Sequence, residues 1–257
     1  MTQLNLLLPD ARVVGDLEEG RDATVQALAD LYAYPSPVPA QGWVRANVVS
    51  SLDGAATGPS GRSASVSNPT DRVVFSVMRG LADVILVGAG TARAERYRSA
   101  SPKREFAERR AASDQLPAPA LAVVTRSGHL PLPSLFAGPA PTCIITSASA
   151  NVSALRNKFG SERVLVAGDE VVEPGLAVLQ LAALGLRRIL TEGGPTLLGP
   201  TVASGRLDEL CLSWSPLMVA GTGPRVAHGL DGQLRLRPGH LLEADGALFG
   251  RWLVQRS

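Results

Sequence analysis

The sequence predicts an α/β fold, a mainly parallel sheet covered by helices and finished by antiparallel strands. Three observations predict it. Between Val44 and Leu190, short aliphatic runs alternate with amphipathic helical segments, the pattern of parallel strands joined by helical crossovers. Two of those runs end in glycine turns, Gly88-Ala89-Gly90-Thr91 and Gly193-Gly194. The last two strand candidates, Leu207 to Trp214 and Ala247 to Val254, have no helix of length between them, so they are expected to close the sheet antiparallel.

Residues 1–41 differ in character from the rest of the chain: a polar, acidic segment, a helix-like run from Asp22 to Tyr32, then Pro35-Ser36-Pro37-Val38-Pro39. Proline fixes φ and breaks regular pairing, which makes this stretch an N-terminal extension and linker, or a packed arm, ahead of a main domain at 42–257. Val44 to Val49 is a short apolar strand ending at Ser50-Ser51-Leu52-Asp53-Gly54. A helix starts at Asn68-Pro69, an N-cap residue followed by proline at the first helical position. It continues through Val73, Val74, Val77, Met78 and Leu81 on one apolar face. Val84 to Val87 is a buried strand. Residues 99–119, with Arg104, Glu105, Glu108, Arg109 and Arg110 between prolines, read as a solvated helix and loop without assigned function. The regular rhythm then resumes: strands at 121–124 and 143–145, a helix at 150–159, a strand at 164–166, a helix at 174–184 and a strand at 188–190.

Composition limits the function classes. Of 257 residues, 45% are apolar and 19% charged, which suits a packed globular chain and not a disordered one. The net charge is +2 with the arginines dispersed, so no nucleic-acid footprint is expected, while small anionic ligands remain compatible. Cys143 and Cys211 are the only cysteines, too few for a disulfide framework or a cysteine zinc site, and a reducing cytoplasm fits. His129, His228 and His240 are widely spaced, read as surface or loop residues, and suggest no metal. Leu4 to Leu8 is too short for a signal core, and no run approaches ~18 apolar residues, so neither export nor membrane spanning is expected.

The sharpest local signal is Thr191-Glu192-Gly193-Gly194-Pro195-Thr196-Leu197-Leu198, which comes after a predicted strand and opens a predicted helix. Glycines there let backbone N–H groups and the helix dipole approach a phosphate; a plain turn needing glycine for geometry explains the motif equally well. The second turn, Gly88 to Thr91, sits at another strand's carboxyl end, where ligands of open α/β sheets bind. Two such turns favour a nucleotide cofactor. Nearby ionisable candidates are Asp53, Arg79, Glu95 and Glu192. Asp53 reads also as a turn residue, Arg79 as a partner of the helix dipole or of an acid, and Glu95 as a solvated helix charge. Glu192, beside a phosphate-binding turn, is placed to serve a hydroxyl or ring N–H of a substrate.

Taken in order, Ser51-Leu52-Asp53-Gly54, Val87-Gly88-Ala89-Gly90-Thr91 and Thr191-Glu192-Gly193-Gly194-Pro195-Thr196-Leu197 resemble the reductase domain of the bifunctional riboflavin deaminase-reductase family over roughly residues 43–256. The resemblance implies a dihydrofolate-reductase-like fold, a twisted, mixed, mostly parallel sheet flanked by helices, and a homodimer. It implies NADPH as cofactor, with Val49, Ser65, Gly90, Thr91 and Glu95 near the nicotinamide and ribose, and Gly193, Gly194, Pro195, Thr196 and Leu197 at the diphosphate. Ser127 matches a further cofactor position, and the adjacent Arg126 offers a forked cation for a 2′-phosphate. Substrate positions fall on Asn47, Ser63, Arg79 and Glu192, with Arg79 the partner of a substrate phosphate. The implied reaction is that of a 5-amino-6-(5-phosphoribosylamino)uracil reductase: hydride passes to C1 of the ribosyl group, with Glu192 or an ordered water as proton donor and Asp53 as a second catalytic candidate.

Three departures accompany the resemblance. The deaminase zinc signature is absent. Asn47 stands where bifunctional members carry lysine, and Glu95-Arg96-Tyr97 replaces an Asp-Asp-Pro-like run, bringing an aromatic face that could stack on a pyrimidine or pterin. A paralogue reducing another heterocycle such as dihydrofolate, and a non-catalytic NADPH-binding protein, are the alternative readings.

Overall fold

The computed structural model describes residues 2–130, 134–229 and 232–256. In chain order it contains β1 (Gln3–Leu8), β2 (Arg12–Asp16), α1 (Arg21–Leu31), β3 (Trp43–Ser51), α2 (Pro69–Leu81), β4 (Val84–Gly88), α3 (Ala89–Ala94), α4 (Ala107–Ala111), β5 (Ala120–Val124), β6 (Thr142–Thr146), α5 (Val152–Phe159), β7 (Val164–Val166), α6 (Pro174–Ala183), β8 (Arg188–Gly193), α7 (Pro195–Ala203), β9 (Glu209–Ser215), β10 (Leu236–Ala244) and β11 (Ala247–Val254). The strands form one sheet in the order β2-β1-β10-β11-β9-β3-β8-β4-β5-β6-β7. Pairings from β9 to β7 are parallel; β2, β1, β10 and β11 join antiparallel.

The aliphatic periodicity decides the layers. Side chains alternate across a strand, and on β3 they divide between two cores: Val44 and Ala46 face α6 and α7 with Leu86, Leu181 and Leu198, while the opposite face packs Leu28, Val77, Met78, Val87 and Leu190 beneath α1 and α2. The start of α2 is fixed as the sequence predicts, with Asn68 Oδ1 accepting from Asp71 N at 2.7 Å and Pro69 in the first turn. Among the described residues, no helix is long and apolar enough to cross a membrane.

Residues 3–34 contribute β1, β2 and α1 to this sheet and core. Leu4 and Leu6 are buried, and β1 pairs with β10 through Asn5 and Glu243. The segment between β9 and β11, read from the sequence only as holding no helix of length, contains β10; Pro238 and Gly239 mask it in the sequence, and a bulge between Pro238 and His240 absorbs them. Residues 99–119 are not simply solvated. Phe106 and Arg110 are buried, and Arg110 donates to the carbonyls of Gly80, Ala82 and Leu116, closing the end of α2. Gly80 permits this because a Cβ there would collide with the Phe106 ring.

His240 also differs from the surface reading. It is buried edge-on against Tyr32, with ring centroids 4.5 Å apart. It adjoins a buried polar group in which Glu209 bridges Arg45 and Arg251, and Arg45 lies 4.1 Å over the Tyr34 ring. Burial alone would raise the Glu209 carboxyl, but the two guanidiniums hold it below its ordinary value.

Candidate active site

A cleft of about 880 Å³ opens over the carboxyl ends of β3, β4 and β8, where strand order reverses and open α/β sheets bind ligands. Its floor is set by register. Ala46 on β3 is opposite Thr191 on β8, so Asn47 and Glu192 come next, side by side. On the other edge of β8, Leu86 pairs with Thr191 and Val87 with Gly193, which leaves Glu192 as the extra residue of a bulge, a device that re-aims a side chain. One wall is a stripe of α2, Asp71, Phe75 and Arg79, spaced four residues apart and therefore on one face.

Glu192 and Arg79 form a bidentate pair, Nε to Oε1 at 2.6 Å and Nη2 to Oε2 at 2.5 Å. The Tyr97 hydroxyl donates to Oε2 at 2.5 Å. Arg79 lies 4.3 Å from the Phe75 ring centre and 5.1 Å from that of Tyr97. Burial would lower the Arg79 pKa, but Glu192 more than offsets it and raises the value. Burial and Glu192 together push the Tyr97 phenol well above its usual value. Tyr97 is aimed by the end of α3: Arg96 takes φ +54°, and Tyr97 N donates back to Ala92 O at 2.9 Å, a Schellman-type stop with arginine where glycine is commoner.

The two glycine turns pack against each other. A Cβ on Gly194 would stand 2.5 Å from Thr91 Oγ1, and Gly194 holds φ +80°, a region that side chains disfavour. Gly194 also precedes α7 with no side-chain cap. The cleft lining carries six cations, Arg72, Arg79, Arg96, Arg98, Lys103 and Arg110, against three carboxylates, Asp71, Glu95 and Glu192. Its field therefore favours an anion.

The cleft brings together most of the sequence-derived positions. Asn47, Ser63, Arg79 and Glu192 line it, as do Val49, Gly90, Thr91, Glu95 and Gly194. Glu95 accepts from the Ser63 backbone and hydroxyl at 2.9 and 3.1 Å, tying the β3–α2 loop to α3. Other positions lie outside the cleft lining. Asp53 accepts from Ser51 Oγ, Val219 N and Ala220 N, bonds that lower its pKa to about 2 and make it a clamp between two loops. Ser65 Oγ is engaged by Gly58 N and Arg62 O. Arg126 and Ser127 are exposed just past β5, while Gly193 ends β8 and Thr196 and Leu197 form the first turn of α7. The Pro195 side chain lies outside the described residues. Sequence reasoning missed Asp71 and Phe75 as cleft residues; their i, i+4, i+8 spacing with Arg79 was the available signal.

Residues 42–247 match the RibD C-terminal domain. The chain belongs to the RibD C-terminal domain family. As a member of this family it is an oxidoreductase of the riboflavin-biosynthesis pyrimidine reductase group. It is 29% identical over 189 residues to the 2,5-diamino-6-ribosylamino-4(3H)-pyrimidinone 5′-phosphate reductase of Archaeoglobus fulgidus, covering 73% of this chain and 86% of that one. An enzyme of the same description from Methanothermobacter thermautotrophicus is 32% identical over 94 residues, 37% of this chain and 43% of its own length. Among solved structures, a pyrimidine reductase-like protein of Corynebacterium diphtheriae superposes with TM-score 0.77 at 24% identity, over 90% of this RibD-family chain and 99% of that one. The riboflavin biosynthesis reductase Rib7 of Saccharomyces cerevisiae gives 0.61 at 13% identity, over 84% and 91%. The fold is accordingly the one these solved reductase structures share.

Proposed function

We propose that this protein is an NADPH-dependent reductase of a 6-ribosylaminopyrimidine 5′-phosphate, delivering hydride to C1 of the ribosyl group. The observation that carries the reading is the convergence of Asn47 and Glu192 on the cleft floor with Arg79 on its wall, beside two packed glycine turns and a cationic rim. The ring is either the uracil that the resemblance implies or the 2,5-diamino-4-pyrimidinone named for both archaeal relatives.

The residues present fit a dinucleotide. Gly194 offers an uncapped helix start to a diphosphate, and Thr91 and Val49 flank the cleft between β3 and β4. Exposed Arg126 and Ser127 stand one strand further on for a 2′-phosphate. When bound, the nicotinamide supplies the hydride. The chain's task is alignment and proton handling. Asn47 and Glu192 meet the ribosyl hydroxyls, and the cationic rim holds the phosphate. Because Glu192 accepts three hydrogen bonds as placed, it positions the sugar, and ordered water delivers the proton. Asp53 contributes by fixing the loop beside the cleft. The half-exposed face formed by Leu212, Trp214, Leu248 and Trp252 on β9 and β11 supports a homodimer, which light scattering on the eluting protein would measure.

The test is NADPH oxidation at about 340 nm, the absorbance band of the cofactor's reduced ring, with each pyrimidine, with dihydrofolate, and with NADH in place of NADPH. Turnover of a ribosylaminopyrimidine phosphate is expected. Faster turnover of dihydrofolate, or tight NADPH binding with no turnover of either pyrimidine, would overturn the reading.

A further inference from the structure

We propose that Tyr97 is the positioning residue that makes Glu192 a one-sided acceptor, so that the carboxylate receives one ribosyl hydroxyl in one pose. This rests on the reading above, that the cleft takes a ribosylaminopyrimidine phosphate.

A carboxylate offers about four acceptor sites on its two oxygens. Arg79 takes one on each oxygen of Glu192, and the Tyr97 hydroxyl takes a second on Oε2. Glu192 and Tyr97 both line the cleft. Without the hydroxyl, each oxygen would keep an open site, and a sugar bearing several hydroxyls would find two seats of the same chemistry. With it, Oε2 is filled and the open site lies on Oε1. A phenol suits this task. It adds no charge beside the Arg79 pair, and its single proton is committed to Glu192, since the carboxylate only accepts.

Several independent contacts aim this side chain. Near the start of α3, Thr91 packs against Gly194, and near its end Arg62 donates to Ala94 O at 2.8 Å. Arg96 then turns the chain at φ +54°, Tyr97 N returns to Ala92 O, and Ser134 Oγ donates to Tyr97 O at 3.0 Å. A non-glycine residue in the left-handed region persists where its surroundings over-determine it, and such residues gather at functional sites. Here the outcome of the turn is the placement of the Tyr97 hydroxyl on Glu192.

The rest of the floor gives the restriction a purpose. Asn47 stands beside Glu192 by strand register, and its Oδ1 is buried without a partner among the described residues. The open site on Glu192 and Asn47 Oδ1 are two acceptors, the complement of the two donors of a vicinal diol. If Oε2 were also open, the diol could slip by one oxygen along the floor. That slip exceeds the misplacement of about 1 Å that costs about 100-fold in rate.

The experiment measures kcat and KM for each phosphorylated pyrimidine at saturating NADPH in wild type, Tyr97→Phe, Glu192→Ala and the double variant. Phenylalanine keeps the ring against Arg79 and removes only the hydroxyl, so the fold and the NADPH dissociation constant should be preserved, which circular dichroism and calorimetry check. Tyr97→Phe is expected to lower kcat about tenfold or more while KM for the pyrimidine does not rise, because the ligand still binds but divides between two poses. In the Glu192→Ala background there is no carboxylate to restrict, and the same change should cost less than about twofold. An unchanged kcat in folded Tyr97→Phe would overturn the inference. So would an equal loss in both backgrounds, which marks a general loosening of the cleft. Turnover of neither pyrimidine by wild type would overturn the proposed function instead, and the inference with it.

Discussion

Replacing Glu192 by glutamine asks how much of the cleft floor is held by charge. The carboxylate accepts from Arg79 Nε, Arg79 Nη2 and the Tyr97 hydroxyl. Glutamine keeps one oxygen. Set on the Oε2 side, that oxygen retains Arg79 Nη2 and Tyr97, but the new N–H₂ meets the Arg79 Nε–H, donor against donor. Set the other way, it retains Nε alone. Either orientation gives up at least one hydrogen bond to a charged group, a loss of about 1.5–3 kcal/mol. It also leaves Arg79 without a counter-charge, with its side chain only 29% exposed between two rings. We expect Glu192→Gln to destabilise by about 2–3 kcal/mol and to reduce kcat/KM by about 100-fold or more through misplacement of the sugar. Urea unfolding of Glu192→Gln, Arg79→Met and the double variant forms a cycle whose coupling should fall at about 1.5–3 kcal/mol. A coupling below about 0.5 kcal/mol, together with unchanged kcat/KM, would refute the idea that this pair builds the floor.

Three further outcomes are expected. His240 is 4% exposed, and burial with the nearby Arg251 and Arg45 lowers its pKa from 6.5 to about 4. The unfolded chain therefore takes up this proton at higher pH than the folded one, and the histidine's contribution is complete above pH 6.5 and drains away toward about pH 4, a loss of about 3 kcal/mol. His240→Phe should flatten the decline in urea stability across that window, and an unchanged slope would contradict it. Gly194→Ala forces a side chain into φ +80° and against Thr91 Oγ1, so KM for NADPH should rise about tenfold while the fold survives, the positive φ alone costing about 1–2 kcal/mol. Arg126→Ala should lower the preference for NADPH over NADH about tenfold, the value of one charge-assisted contact, and equal use of the two cofactors by wild type would remove its basis.

The parts of the fold legible in the sequence are those where local periodicity and burial agree. β4 and β5 are continuous aliphatic runs because both faces are covered, and α2 carries its own N-cap, proline and apolar stripe. β1, β2 and β10 are hidden because they lie toward one end of the sheet, where exposed residues interrupt the alternation and pairing is supplied by distant strands. Within the cleft, Arg79 and Glu192 come from motifs, but their mutual pairing depends on the bulge at Glu192, and a bulge has no simple sequence signature. Asp71 reads in the sequence as a helix-first-turn acid, an adequate local explanation that conceals its place in the cleft lining. Phe106 and Arg110 are obscured by the charged residues around them.

The arm outside the 42–247 match is tied to the chemistry within it through β3. Arg45 and Asn47 lie two residues apart on one face of that strand, so whatever fixes the first fixes the pitch of the second. Arg45 is fully buried, paired with Glu209, donating to the Tyr32 carbonyl and stacked on Tyr34. Tyr32 and Tyr34 both come from the arm, and Arg251 reaches back to the carbonyls of Leu31 and Ala33. A buried ion pair adds little net stability over an apolar substitute, but it rejects the alternative registers that would leave its charges unpaired. Its position directly behind Asn47 gives it a reason to be there: it locks the register of β3 against β9 at the level of the cleft floor, and the arm completes the lock.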